Sequence, residues 1–405
     1  MTLSLFDLSA ALAKVQQCCW QLTSDEQCSK ALVAMGEAIA QRQDDILEAN
    51  TLDLEISRDM AVPELVVDWL KLTPERVQAT VDIFERLAAM GTAVPIANAY
   101  GGSAESAPSR PVGTIGFIYE AFPDLGAIAA GLSIRTGNAL VLRGGGETSK
   151  TNQAIAHILQ DALKSVDLCE ALIFPIDPAD VSRLEIAQCS DIDLIVAHGR
   201  PSLVEQIVQS ASVPVIPSRM GNCYLYWSAS GSLDQVCRMI VESHSGTPDA
   251  VNRIEKVLLH EAHSDNTLTR LWNRLQEAGF TLKADGELAQ KHSLETAEPL
   301  DWGSAYLKQT IAFKQVKNSA DAIDWINTHS SGHADSIATS DYAESRQFMA
   351  NCRSASLYIN ASPKFVRNAK HTGDIALGVS ERKGVTGGLI GMAVMREQQR
   401  IFHGS

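Results

Sequence analysis

The chain has 405 residues, 45% of them hydrophobic and 20% charged, a length and composition that suit two packed domains rather than one. Acidic residues outnumber basic ones 48 to 34, and the net charge of -14 argues against nucleic acid or an anionic membrane as partner, since both draw on clustered Lys and Arg. The start, Met1 to Asp7, has no basic segment leading into an apolar run, and no stretch approaches the ~20 apolar residues of a spanning helix, so a cytoplasmic protein is expected.

The first part reads as helical. Leu8 to Leu22 carries apolar residues at helical spacing, and Asp25 to Asp53 continues it, with Ala31, Leu32, Met35, Ile39, Ile46 and Leu47 on one face. Thr73-Pro74-Glu75 is a helix start, a hydroxyl cap followed by proline at the first turn, and that helix runs to about Met90. Gly91 to Pro111, rich in Gly, Ala, Ser and Pro, has no helical period and reads as an exposed hairpin or connection. Strands and helices then alternate: a strand to Tyr119, a small-residue helix from Pro123 to Thr136, a strand from Ala139 to Arg143, a helix from Ser149 to Ser165, then short strands at 172–176, 194–197 and 213–216. Leu225 to Trp227 and Leu233 to Glu242 repeat the theme, and Thr247-Pro248-Asp249 interrupts it. A second series follows from Val257, with strands at 311–316, 336–339 and 356–360 and helices at 267–278, 320–328 and 341–351. Such alternation predicts doubly wound parallel sheets, with a second α/β unit starting near residue 245. The eight cysteines, at positions 18, 19, 28, 169, 189, 223, 237 and 352, show no zinc spacing and are expected to be reduced, mostly buried thiols; no metal site is expected.

Arg143-Gly144-Gly145-Gly146-Glu147 follows a buried strand and precedes a helix. Glycines there let a backbone approach a phosphate, and a helix start can offer free N–H groups to it; a tight strand-to-helix turn explains the same residues. The surrounding residues add to this. The run Arg110-Pro111-Val112-Gly113-Thr114-Ile115-Gly116-Phe117-Ile118-Tyr119-Glu120-Ala121 leads to Gly137-Asn138-Ala139-Leu140-Val141-Leu142-Arg143-Gly144-Gly145. Together with Ile46-Leu47-Glu48-Ala49-Asn50-Thr51-Leu52-Asp53, Gly221-Asn222-Cys223, Ser331-Gly332-His333 and Tyr358-Ile359-Asn360-Ala361-Ser362, it closely resembles the γ-glutamyl phosphate reductases of the aldehyde dehydrogenase superfamily.

The resemblance implies an aldehyde dehydrogenase-like α/β fold: a Rossmann-like cofactor domain at 1–244, with 91–111 as part of a small β oligomerisation arm, a catalytic-type α/β domain at 245–370, and a return to the first domain with a C-terminal oligomerisation strand at 371–405. It implies NADP(H) as cofactor, held around Arg143, Gly144, Gly145, Gly146 and Glu147, and a homo-oligomer. It also implies reduction of γ-glutamyl phosphate, by way of a cysteine thioester, to glutamate semialdehyde in proline biosynthesis. At the position of that cysteine stands Val251, followed by Asn252, and an isopropyl group cannot act as nucleophile. Ala305 stands where the superfamily has the glutamate that holds the nicotinamide ribose, and Phe122 and Thr247 stand where arginines are usual. Asn360 and Ser362 complete the expected substrate residues. Of the histidines, His244 lies closest in sequence to Val251 and is the candidate base, against the commoner role of a packed structural imidazole.

Three readings stand open. One is a diverged homologue that handles an amino-acid-derived or activated carboxylate, such as an acyl phosphate, without thioester chemistry and with cofactor binding weakened or lost. Another is a catalytically dead paralogue that regulates or scaffolds a reductase or kinase partner. The third is an NADPH-dependent glutamate-5-semialdehyde dehydrogenase working by another route.

Overall fold

A computed structural model describes residues 7–19, 21–22, 24–59, 62–91, 109–246, 251–369, 374–381 and 387–399. The chain divides into two compact units. Unit 1 comprises Met1–Ser218, Arg367–Gly378 and Leu389–Ser405, and unit 2 comprises Arg219–Val366 and Val379–Gly388.

Unit 1 begins with helices α1 (Leu8–Cys19), α2 (Asp25–Gln41), α3 (Gln43–Asp59), α4 (Glu64–Leu70) and α5 (Pro74–Ala89). The long amphipathic stretch expected from residue 25 breaks at Arg42, which caps α2. Thr73 caps α5 as expected, its hydroxyl accepting the Arg76 N–H. The strand β1 (Ser109–Pro111) pairs antiparallel with Arg396–Gln398. Residues 92–108 of the expected arm lie outside the described residues. The sheet follows: β2 (Thr114–Tyr119), α6 (Pro123–Thr136), β3 (Ala139–Arg143), α7 (Ser149–Ser165), β4 (Ile173–Pro175), α8 (Arg183–Ala187), β5 (Leu194–Gly199), α9 (Pro201–Ser210) and β6 (Val215–Arg219). Its order is β4-β3-β2-β5-β6, and the ladders β2–β3, β2–β5 and β3–β4 run parallel. β2, β3 and β5 are buried along their whole length, as parallel strands covered on both faces must be.

Unit 2 holds β7 (Cys223–Trp227), α10 (Leu233–Ser243), β8 (Ile254–His260), α11 (Asp265–Glu277), β9 (Thr281–Ala284), α12 (Gly286–His292), β10 (Glu295–Thr296), β11 (Thr310–Val316), α13 (Ser319–His329), β12 (Ala334–Ala338), α14 (Tyr342–Asn351) and β13 (Ser356–Ile359). The sheet order is β10-β9-β11-β8-β7-β12-β13. This moves the boundary expected near residue 245. β7 and α10 belong to the second unit, because β7 pairs with β8 on one side and β12 on the other, so the change falls between Ser218 and Arg219.

The expectation of reduced thiols needs a correction as well. Cys18 of α1 is joined to Cys169, a partner 151 residues away in sequence. Lys14 pairs with Glu170 at 3.6 Å and Gln21 accepts the Cys169 N–H at 2.9 Å, so the bond fastens α1 to the turn before β4. A disulfide typically stabilises a fold by about 2–4 kcal/mol, mainly by constraining the unfolded chain, and more for longer loops. Reduction with a thiol reagent is expected to lower the melting temperature by roughly 5 °C or more, and Cys18→Ser should melt at the lower value with or without reductant. An unchanged melting temperature on reduction, with the two thiols then alkylated, would contradict the fastening.

Candidate functional site

In unit 1, β2 leads through α6 to β3 on one side, while β5 leads through α9 to β6 on the other. The adjacent strands β2 and β5 therefore form the topological switch point, whose crevice lies at their carboxyl ends. Glu120, immediately after β2, is buried, and its carboxylate accepts from Arg200 N at 2.5 Å, Nε at 3.0 Å and Nη2 at 2.9 Å. Gly199 at φ +149° must be glycine, since a Cβ there would stand 2.8 Å from the Glu120 carboxylate. Arg200 remains 44% exposed, so its charge reaches the crevice mouth.

The glycine segment is arranged around this crevice. Glu147 accepts the Ala121 N–H at 2.9 Å, which pins the turn after β2, where Ala121 and Phe122 both take left-handed conformations, φ +50° and +40°. Non-glycine residues there cost free energy and persist only where neighbours hold them. Phe122 is fully buried, stacked on Trp69 at 5.1 Å and edge-on to His198 at 5.8 Å. Arg143 donates to the carbonyls of Val181 and Gly144, and burial, with the nearby Arg183, lowers its pKa to about 10. The Glu147 carboxylate lies over Gly145, where a Cβ would collide with it.

One expectation is overturned here. The first amides of α7 are not free for a phosphate: Asp53 of α3 accepts Lys150 N at 3.1 Å, Thr151 N at 2.8 Å and the Thr151 hydroxyl at 2.6 Å. Asn50, one turn earlier, donates to Leu70 O and accepts Leu72 N. The Asn50 to Asp53 stretch is thus a helix-capping device.

In unit 2, Val251 precedes β8, fully buried, with its carbonyl accepting the Gly221 N–H at 3.0 Å. A Cβ on Gly221 would stand 2.7 Å from that carbonyl, 3.0 Å from Cys223 Sγ and 3.1 Å from His333 Nδ1, so these groups converge on one point. Burial, with the Asp335 carboxylate adding to it, raises the Cys223 thiol well above its ordinary pKa and keeps it protonated and inert. Burial lowers His333 to about 4, with Nδ1 2.9 Å from Ser331 Oγ and Nε2 3.5 Å from Glu381. Asn252 is buried.

The other expected residues are distributed. His244 packs edge-on to Phe280 at 4.9 Å, with Nε2 2.8 Å from Ile254 O, and burial lowers it to about 4, the setting of a structural imidazole. Asn360 and Ser362 follow the carboxyl end of β13, whereas Val251 precedes the amino end of β8, so the parallel sheet keeps them apart. The Asn360 amide clamps Thr339 through both its N–H and its carbonyl, and the Ser362 hydroxyl donates to Met239 O. Thr247 lies outside the described residues.

Ala305 sits in a turn built around two buried charges that the sequence reading missed. Glu255 accepts Tyr306 N at 2.5 Å and Leu307 N at 2.8 Å, and Leu307 is held at φ +57°. Lys256 donates to Ser304 O at 3.2 Å and lies 3.8 Å above the Tyr306 ring. Burial raises the Glu255 carboxyl and lowers Lys256 to about 8. A Glu-Lys pair opening an otherwise apolar strand was the available signal. Among the described residues there is no cluster able to hold a metal, and no helix is long and apolar enough to cross a membrane.

No protein-family model matches the chain. It is similar to γ-glutamyl phosphate reductase 2 of a Synechocystis species, 44% identical over 93% of this chain and 91% of the relative, and to γ-glutamyl phosphate reductase of Gloeobacter violaceus, 33% identical over 93% and 91%. Among solved structures it resembles γ-glutamyl phosphate reductase of Thermotoga maritima, with TM-score 0.86, 26% identity and coverage of 98% and 99%. A propionaldehyde dehydrogenase of Clostridium phytofermentans shares the fold at TM-score 0.70 and 14% identity, over 97% and 96% of the two chains.

Proposed function

The chain belongs to the γ-glutamyl phosphate reductase family, and from that premise we propose that it is a diverged member that binds an amino-acid-derived activated carboxylate without forming a thioester. The observation that carries this is Val251, a buried isopropyl group at the position where the family resemblance puts the nucleophile. The nearest thiol, Cys223, supports the same reading, because burial keeps it protonated. What remains for such a site is positioning: holding an acyl phosphate while an amine or hydroxyl attacks it, with the protein supplying orientation rather than a covalent step.

NADP(H) is the cofactor implied by the family, and its chemistry would be hydride transfer. The residues around the β2–β5 crevice fit such a group in part: Arg200 offers a half-exposed guanidinium to phosphate, and Glu147 offers a carboxylate to ribose hydroxyls. The resemblance puts the glutamate that holds the nicotinamide ribose at position 305, where Ala305 has no carboxylate, so we propose weak binding. A soluble cytoplasmic homodimer, joined through the arm that includes the β1 pairing with Arg396–Gln398, completes the proposal.

Melting-temperature shifts test it. Glutamate γ-hydroxamate, a stable stand-in for the activated carboxylate, is expected to raise the melting temperature at millimolar concentration, and NADPH to raise it less. Strong stabilisation by micromolar NADPH with none by the hydroxamate would contradict the proposal. No response to either would favour the paralogue that only regulates or scaffolds.

A further inference from the structure

Unit 1 has a cavity on the β3 and β4 side of β2, opposite β5 and beside the glycine segment. Its volume is about 310 Å³, within reach of a small ligand. It opens at the carboxyl ends of β2, β3 and β4 and is lined by α7 residues. Right-handed crossovers place α6 and α7 on one face of the sheet and α8 and α9 on the other, so this cavity is on the α7 side.

Its lining combines an apolar body with an acidic mouth. The Tyr119 ring, buried, forms the floor, and its hydroxyl donates to Asn152 Oδ1 at 3.1 Å. Leu142, Pro175 and Ile176 supply apolar wall. Asp177 and Asp180 stand at the mouth, and no Lys or Arg lines the cavity. The Asp177 carboxylate is fixed in orientation by Gln153 Nε2 and Ala179 N, both at 2.8 Å, and those bonds leave lone pairs on each oxygen. The Arg143 guanidinium, which interacts electrostatically with Asp177 without lining the cavity, directs its hydrogen bonds to main-chain carbonyls.

We propose that this cavity is a binding site for a compact aliphatic ammonium ion, with the alkyl chain against Leu142 and Ile176 and the charge between Asp177 and Asp180. An anion of the same size meets two carboxylates and no Lys or Arg in the lining, whose one imidazole is His157. A neutral apolar molecule leaves both carboxylates to be partly desolvated without compensation. An ammonium headgroup satisfies them. Gly144 belongs to the lining, and Asn152 also donates to Thr148 at 2.9 Å.

Calorimetric titration of the whole protein with 1,4-diaminobutane, at constant ionic strength, tests this. A saturable one-to-one isotherm is expected, with a melting temperature raised by a few degrees. Asp180→Asn, at an exposed position, should weaken binding at least tenfold, and Asp177→Asn likewise. The exposed Asp44→Asn, far from the cavity in sequence and element, should leave it unchanged. Succinate should produce no heat of binding. Unsaturable binding, equal weakening by Asp44→Asn and Asp180→Asn, or binding of succinate would each overturn the site and assign the heat to the diffuse negative charge of the chain.

Discussion

Val251→Cys alone is expected to give a protein that folds, acquires a thiol, and still oxidises glutamate semialdehyde in the presence of NADP and phosphate at no more than about a thousandth of a family reductase's rate. Valine and cysteine differ little in volume, so the buried position should tolerate the change. What the new thiol lacks are the partners that the family resemblance places with it: at the position of a usual arginine Phe122 is a ring fixed between Trp69 and His198, and at the position of the ribose-holding glutamate Ala305 has no carboxylate. One missing charge-stabilising partner is worth about 3–4 kcal/mol in a transition state, and misplaced reactants cost more. Val251→Cys with Ala305→Glu should recover part of the rate, because the turn carrying residue 305 is already held by Glu255 and Lys256. Rates are to be measured beside the melting temperature of each variant. Full turnover from Val251→Cys alone would mean that the rest of the site is intact.

Acidification from pH 7 to pH 5 should destabilise unit 2 by about 2 kcal/mol. His244 and His333 are buried neutral, with pKa lowered to about 4 in the fold against ~6.5 in the unfolded chain. Between those values the unfolded state binds more protons, so stability present above pH 6.5 is lost as pH falls toward 4. Asp335 acts in the opposite sense. Burial raises it to about 6, outweighing its bonds from Ser330, Ser354 and Tyr224, so it binds its proton first in the folded state and returns stability as pH falls from 6 toward 4. Glu255, also raised by burial, acts in the sense of Asp335, and His263 and His329, also lowered by burial, act in the sense of the two buried imidazoles, so a net loss remains. Urea unfolding at the two pH values measures it, and His244→Phe should remove a large part of the difference. A midpoint that is flat or rises on acidification would contradict the assignment of both histidines as buried and neutral.

The parallel sheets were legible because their strands are continuous apolar runs punctuated by helices: β2, β3, α6 and α7 were expected within two residues of where they lie. What the sequence hid was pairing. Nothing local says that β7 pairs with β8 and β12 rather than extending the first sheet, so the unit boundary was placed too late. Short elements such as α4, α8 and β9 carry too few periods to register. The glycine segment was found, but its partner was misread: the helix start beside it is capped by Asp53, a contact across 97 residues that no local pattern reveals. The same holds for Cys18 and Cys169, and for Glu120 with Arg200, which only the β2–β5 pairing brings together.

The central claim is that this family member does no thioester chemistry, and one measurement meets it directly. The purified protein, free of host reductase, is incubated with γ-glutamyl phosphate generated in place and with NADPH, and its intact mass and the semialdehyde are followed together. The account predicts no glutamyl adduct on any cysteine and no NADPH-dependent semialdehyde. An adduct mapped to Cys223, or semialdehyde formed in proportion to NADPH consumed, would contradict it.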